Sequence, residues 1–91
     1  MIDKIKVENM VSNKGNDIPN QFKISTPQGL YFQSYNTIIS FIDNTGQIWL
    51  DEEMWDYSVT TGTYRNIFLR EKKPETQYKI NKGIYKLTNL N

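Results

Sequence analysis

The side chains able to do chemistry gather in one stretch. Residues 51 to 66 hold four carboxylates, Asp51, Glu52, Glu53 and Asp56, and then Tyr57, Ser58, Thr60, Thr61, Tyr64, Arg65 and Asn66. Grouped carboxylates are the raw material of a cation site or of an acid/base pair. A calcium loop, however, needs alternating Asp or Asn ligands, a glycine at its sixth place and a bidentate Glu at its twelfth, and that spacing is absent. The acidic run therefore reads as a solvated turn or a negative patch facing a basic partner, with no metal. The hydroxyls of Ser58, Thr60 and Thr61 just before Gly62 could help a helix start receive a phosphate, with Arg65 adding charge. There is no glycine-rich loop and no lysine of the Walker type. Helix capping accounts for the same hydroxyls without any ligand.

Composition narrows the chemistry further. The 91 residues contain no Cys and no His. That excludes disulfides, Cys/His zinc sites and His-assisted nucleophiles. No catalytic residue and no cofactor is expected. The net charge of +1 supplies no field for nucleic acid or membrane. Charge is nonetheless segregated, acidic over 51–56 and basic over 65–86, where Arg65, Arg70, Lys72, Lys73, Lys79, Lys82 and Lys86 face only Glu71 and Glu75. No signal peptide or membrane span is visible, so a soluble, cytoplasmic protein is expected.

The elements that must position these residues follow from periodicity and turn signals. Ile5, Val7 and Val11 alternate with Lys4, Lys6 and Glu8, which predicts a half-buried strand with the apolar face inward. Ser12 to Asn20 reads as a polar, mobile loop. Phe22 and Ile24 alternate with polar neighbours, and Thr26-Pro27-Gln28-Gly29 predicts the turn of a hairpin returning through Leu30 to Ser34. Residues 37–42 are apolar on both faces. Asp43-Asn44-Thr45-Gly46 is a second turn, with Gly46 at positive φ, before Gln47 to Leu50. After Asp51 the period becomes helical. A helix capped by Ser58, Thr60 or Thr61 is expected from about Gly62 to Arg70, with Tyr64, Ile67 and Phe68 on one face. Pro74 opens a second helix that Gly83 ends, and residues 84–90 are a candidate closing strand. The expected fold is a small α+β single domain, 1–91: an antiparallel sheet of four to five strands, one or two short helices, and a closing strand. Its expected core is Ile5, Val7, Phe22, Ile24, Phe32, Ile38, Phe41, Ile48, Tyr64, Phe68 and Ile80.

Three segments carry a resemblance. They are Tyr31-Phe32-Gln33-Ser34-Tyr35; Trp55-Asp56-Tyr57-Ser58 with Thr60-Thr61, Tyr64-Arg65-Asn66 and Phe68-Leu69; and the ending from Gly83-Ile84-Tyr85-Lys86-Leu87 to Leu90-Asn91. From about Ile18 onward the chain resembles a family of small bacteriophage and prophage proteins that carries a domain of unknown function. Val59 stands where that family is expected to have a polar or basic residue. The resemblance implies a phage origin and gives no activity.

The function expected is a non-enzymatic interaction protein that inhibits a host antiviral defence by binding a host protein or complex. The alternative is a small-ligand binder that sequesters a signalling nucleotide. Nucleic acid and membrane are not expected as partners, and a second copy of the chain is a further option. The expected binding residues are Tyr57, Ser58, Thr60, Thr61, Tyr64, Arg65 and Asn66, with Tyr31, Gln33 and Tyr35 on the sheet. Tyr57, Arg65 and Asn66 are placed to reach outward, and Tyr64 to pack.

Overall fold

The computed structural model describes residues 4–91. Five strands form an antiparallel meander: β1 (Lys6–Val11), β2 (Asp17–Thr26), β3 (Gly29–Ser34), β4 (Thr37–Asp43) and β5 (Ile48–Asp51). Two helices follow, α1 (Val59–Leu69) and α2 (Lys73–Asn81). The chain then returns as β6 (Lys86–Thr88), parallel to β5, so the sheet order is β1 to β6. This is the expected α+β architecture. One detail differs from the simplest expectation: the helical crossover delivers the closing strand parallel.

The turns work as their residues dictate. Pro27 and Gln28 alone connect Thr26 to its pairing partner Gly29. A side chain on Gly29 would drive its Cβ to 2.1 Å from the Ile42 carbonyl oxygen of the neighbouring strand, so only glycine fits. Ser58 caps α1, its hydroxyl accepting from the Thr61 amide at 3.1 Å. At the end of α2, Gly83 takes φ +75° while its N–H and that of Ile84 donate to Ile80 and Lys79. These bonds close the helix as a left-handed glycine terminator does.

The polar loop is shorter than the expected Ser12 to Asn20. β2 begins at Asp17 and carries Pro19 near its start, where the pairing with β1 shifts register after Asn9. Proline is tolerated at such an irregularity because the ladder is already interrupted there.

The molecule measures 36 × 35 × 20 Å, the thickness of one sheet and one helix layer at about 10 Å each. Its core lies between these layers in two clusters. Met10, Phe32 and Ile39 pack against Tyr64 and Phe68. Leu50, Leu69 and Tyr85 pack with Ile48, Trp55 and Ile80. Ile39 is the extra residue of a bulge in β4, between the pairs Phe32–Ser40 and Gln33–Ile38.

Part of the expected core lies elsewhere. Ile5 and Val7 are exposed, Val7 at 59%, whereas Met10 on the opposite face of β1 is buried at 4%. Phe22, Ile24, Ile38 and Phe41 are half-buried and share Val7's face. The helices sit on the other side. On that side β1 and β2 present Lys6, Glu8, Lys23 and Ser25, all exposed, along with the buried Gln21. Among the described residues, the apolar face of the first hairpin is thus the face that no helix covers.

Candidate functional site

The stretch that dominates the sequence folds into the turn between β5 and α1. Asp51 organises it. Its carboxylate accepts N–H bonds from Glu53, Met54, Leu90 and the Asn91 side chain, at 2.8–3.2 Å. Burial pushes this carboxyl up, but the four donors outweigh burial and hold it below the usual carboxylate range. Asp51 therefore staples the chain's end to the start of the turn. Glu52 and Glu53 are exposed. Asp56 pairs with both Arg65 and Lys73. Among the described residues no group of acidic side chains is arranged to hold a metal.

Arg65 corrects the expectation of an outward-reaching anchor. It is 1% exposed. One terminal nitrogen, Nη1, donates to the Trp55 carbonyl at 2.8 Å and to Asp56 at 3.0 Å, while Nη2 donates to Asn66 Oδ1 at 3.0 Å. The guanidinium also lies 5.1 Å from the centre of the Trp55 ring. Gly62 lies beside it, one turn earlier: a Cβ there would meet the guanidinium at 3.6 Å, an ordinary van der Waals contact. Asn66 is accordingly a buttress for Arg65, half-buried, and does not point outward.

The remaining motif residues divide the same way. Thr61 is fully buried and shares a hydrogen bond with Ser34 at 2.9 Å, which ties α1 to β3. Ser58 is the helix cap. Tyr64 packs on the Met10–Phe32–Ile39 cluster, as expected. Thr60 and Tyr57 are exposed, and Tyr57 borders an open cleft of about 500 Å³ with Asp56, Thr63 and Lys73. The cationic groups at this cleft are already paired with Asp56, so little charge is left for a phosphate. Most of the motif is a packing device.

The sheet residues tell a different story. Tyr31 and Gln33 do share a face, opposite Leu30 and Phe32. Tyr35 leaves that face: it sits in the β3–β4 turn at φ 56°. Tyr31 belongs to a continuous row of directly paired residues, Val7–Ile24–Tyr31–Phe41–Trp49–Lys86, one from each strand. Tyr31 and Phe41 stack with ring centres 4.2 Å apart. Lys86 caps the row over Trp49 at 6.0 Å, and the Trp49 indole N–H is held by Asp43 at 3.0 Å. At the usual strand spacing the row is about 24 Å long. A second row, Asn9–Phe22–Gln33–Ile38, runs beside it.

The signal for this surface was present in the alternation of β1 and β2 and in the hairpin turns that set their register. Alternation alone places it in the core, where an apolar strand face normally packs.

The chain belongs to a family of unknown function (DUF8033), whose model matches residues 5–84. That span contains the five antiparallel strands and both helices and stops short of β6. Nothing among the curated proteins or the solved structures matches the chain.

Proposed function

We propose that this chain is a non-enzymatic interaction protein whose working surface is the open face of its sheet, and that its partner is another protein. The observation that carries this reading is the row Val7–Ile24–Tyr31–Phe41–Trp49, apolar across five strands and, among the described residues, covered by no helix. A small domain that leaves Val7 exposed and Ile24, Tyr31, Phe41 and Trp49 only half-buried on one face loses burial it could have used, and large apolar patches mark interaction sites. Aromatic residues at the centre of such a patch are the usual anchors of a protein interface. The face is broad enough for the roughly 800 Å² that each side of a standard interface buries.

A protein suits this chemistry better than a nucleic acid. Aromatic side chains on a sheet can stack bases, but the row offers one cation, Lys86, and affinity for nucleic acid rests on several phosphate contacts. The resemblance to phage proteins extends the reading: the partner is a host protein, and blocking it inhibits an antiviral defence. This last step rests on the class of gene.

The test is co-purification from host lysate with wild type, with Val7→Lys plus Ile24→Lys, and with Lys14→Ala as a control. A partner kept by wild type and control but lost with the double variant, at unchanged melting temperature, supports the reading. A partner kept equally by all three removes the open face from it. Sedimentation of the purified chain distinguishes a second copy as the occupant. The alternative occupant of the Tyr57 cleft, a signalling nucleotide, would raise stability by about 2.7 kcal/mol at a hundred times its Kd.

A further inference from the structure

On the helix side of the sheet the end of α1 leaves a groove over β1, β2 and β3. It has a volume of about 280 Å³ and is lined by Met10, Lys23, Leu30, Ile67, Phe68 and Arg70. Its floor is apolar, and Ile67 at its rim is 55% exposed. Lys23 and Arg70 are both exposed, and among the described residues neither has an ion-pair partner.

Arg70 is held there by an unfavourable backbone. It closes α1 at φ 59°, ψ 42°, with its N–H and that of Glu71 donating to Ile67 and Asn66. This is the left-handed position that Gly83 fills at the end of α2. A residue with a Cβ adopts it at a cost, and such costs concentrate where a side chain is needed for function.

We propose that this groove binds an acidic peptide segment, one large apolar side chain entering between α1 and the sheet while Lys23 and Arg70 hold flanking carboxylates. The volume lies at the lower edge for a small-molecule site, which suits one inserted side chain better than a whole ligand. Met10 brings β1, the edge strand of the sheet, to the groove, and among the described residues the outer backbone groups of β1 pair with no other strand. An extended peptide can bond to them while its side chain turns into the groove. Two unpaired cations beside an apolar floor select an acidic segment and repel a basic one. The site is separate from the open face and does not depend on it.

The test is titration of the ¹⁵N-labelled full chain with three capped tripeptides: Asp-Leu-Glu, Lys-Leu-Lys and Asp-Gly-Glu. The acidic leucine peptide is expected to move the amide signals of Met10, Leu30, Ile67 and Arg70 and to bind about tenfold more tightly than the others. Arg70→Asn, which suits the left-handed backbone, should keep or raise the melting temperature and weaken that binding. Lys23→Glu should weaken it further. Equal binding of the basic peptide, shifts confined to other residues, or undiminished binding by Arg70→Asn would overturn the proposal. Saturation of the same signals by decanoate alone would overturn it in favour of a fatty-acid site.

Discussion

Arg65 and Trp55 hold each other: the guanidinium donates to the Trp55 carbonyl at 2.8 Å and lies against the indole ring of the same residue. The pair closes the turn between β5 and α1. It also explains why Trp55-Asp56, Tyr57-Ser58 and Tyr64-Arg65-Asn66 stand together along this stretch. Trp55 supplies the platform, Asp56 the counter-charge, Ser58 the helix start and Asn66 the last acceptor. Conspicuous spacing here encodes a folded turn.

Arg65→Ala should therefore destabilise the domain by about 3 kcal/mol. It removes a buried cation, leaves the Trp55 carbonyl without that donor and deprives Asp56 of one of its two partners. Arg65→Lys should recover little, because an ammonium cannot reproduce the fork that reaches Trp55, Asp56 and Asn66 together. Urea denaturation of both variants checks this. A loss within about 0.5 kcal/mol for Arg65→Ala would mean that the turn is held by something else.

Two glycines test different demands. Gly83→Ala meets open space and should cost roughly 1 kcal/mol, the left-handed penalty alone. Gly29→Ala must also clear the Ile42 carbonyl and the Asp43 backbone, so its cost should be clearly larger and the β3–β4 pairing should shift. Thermal melts rank the two, and equal losses would contradict the close approach of β4 to Gly29.

Acid sensitivity follows from Asp51 and Glu71. Burial raises the Glu71 carboxyl, but bonds from Lys79, Thr76 and Tyr85 outweigh it and leave the group below its ordinary 4.5; Asp51 is likewise held below 3.8. Groups lowered in the folded state stabilise it above their unfolded values and lose that contribution as pH falls through the folded ones. Stability should be level above about pH 5 and drop below about pH 4. Asp43, held by Thr45 and Trp49 at about 2, keeps its bond to the Trp49 indole until the pH falls to that range. Glu71→Gln should start lower at neutral pH and fall less steeply in acid. Parallel acid limbs in the two proteins would remove Glu71 from this account.

What was legible in the sequence was what local chemistry decides. Pro27 with Gly29, Gly46 and Gly83 mark turns and helix ends because each satisfies a backbone need within a few residues. Ser58 caps because its hydroxyl reaches Thr61. The strands and both helices follow. Two things were set by distant contacts instead. Whether Arg65 points in or out depends on where the turn before α1 places Trp55 and Asp56. Which face of β1 and β2 is buried depends on how far the helix layer reaches, and alternation alone carries no such sign.

Val7 and Met10 put that second point to a direct test, since they share β1 and face opposite ways. Alternation predicts Val7 inside, whereas the fold buries Met10 against Phe32 and Ile39 and leaves Val7 59% exposed. Met10→Ala should cost about 2–4 kcal/mol, the loss of a buried side chain plus the cavity it leaves. Val7→Lys should change stability by no more than about 0.5 kcal/mol, since the long stem can lie along Ile24 while the charge stays in water. It should also make the protein more soluble by breaking the apolar row. Chemical denaturation of the two variants decides the matter. If Val7→Lys unfolds the domain while Met10→Ala is tolerated, the hairpin packs on the helices with its other face, and the open surface on which the proposed partner rests does not exist.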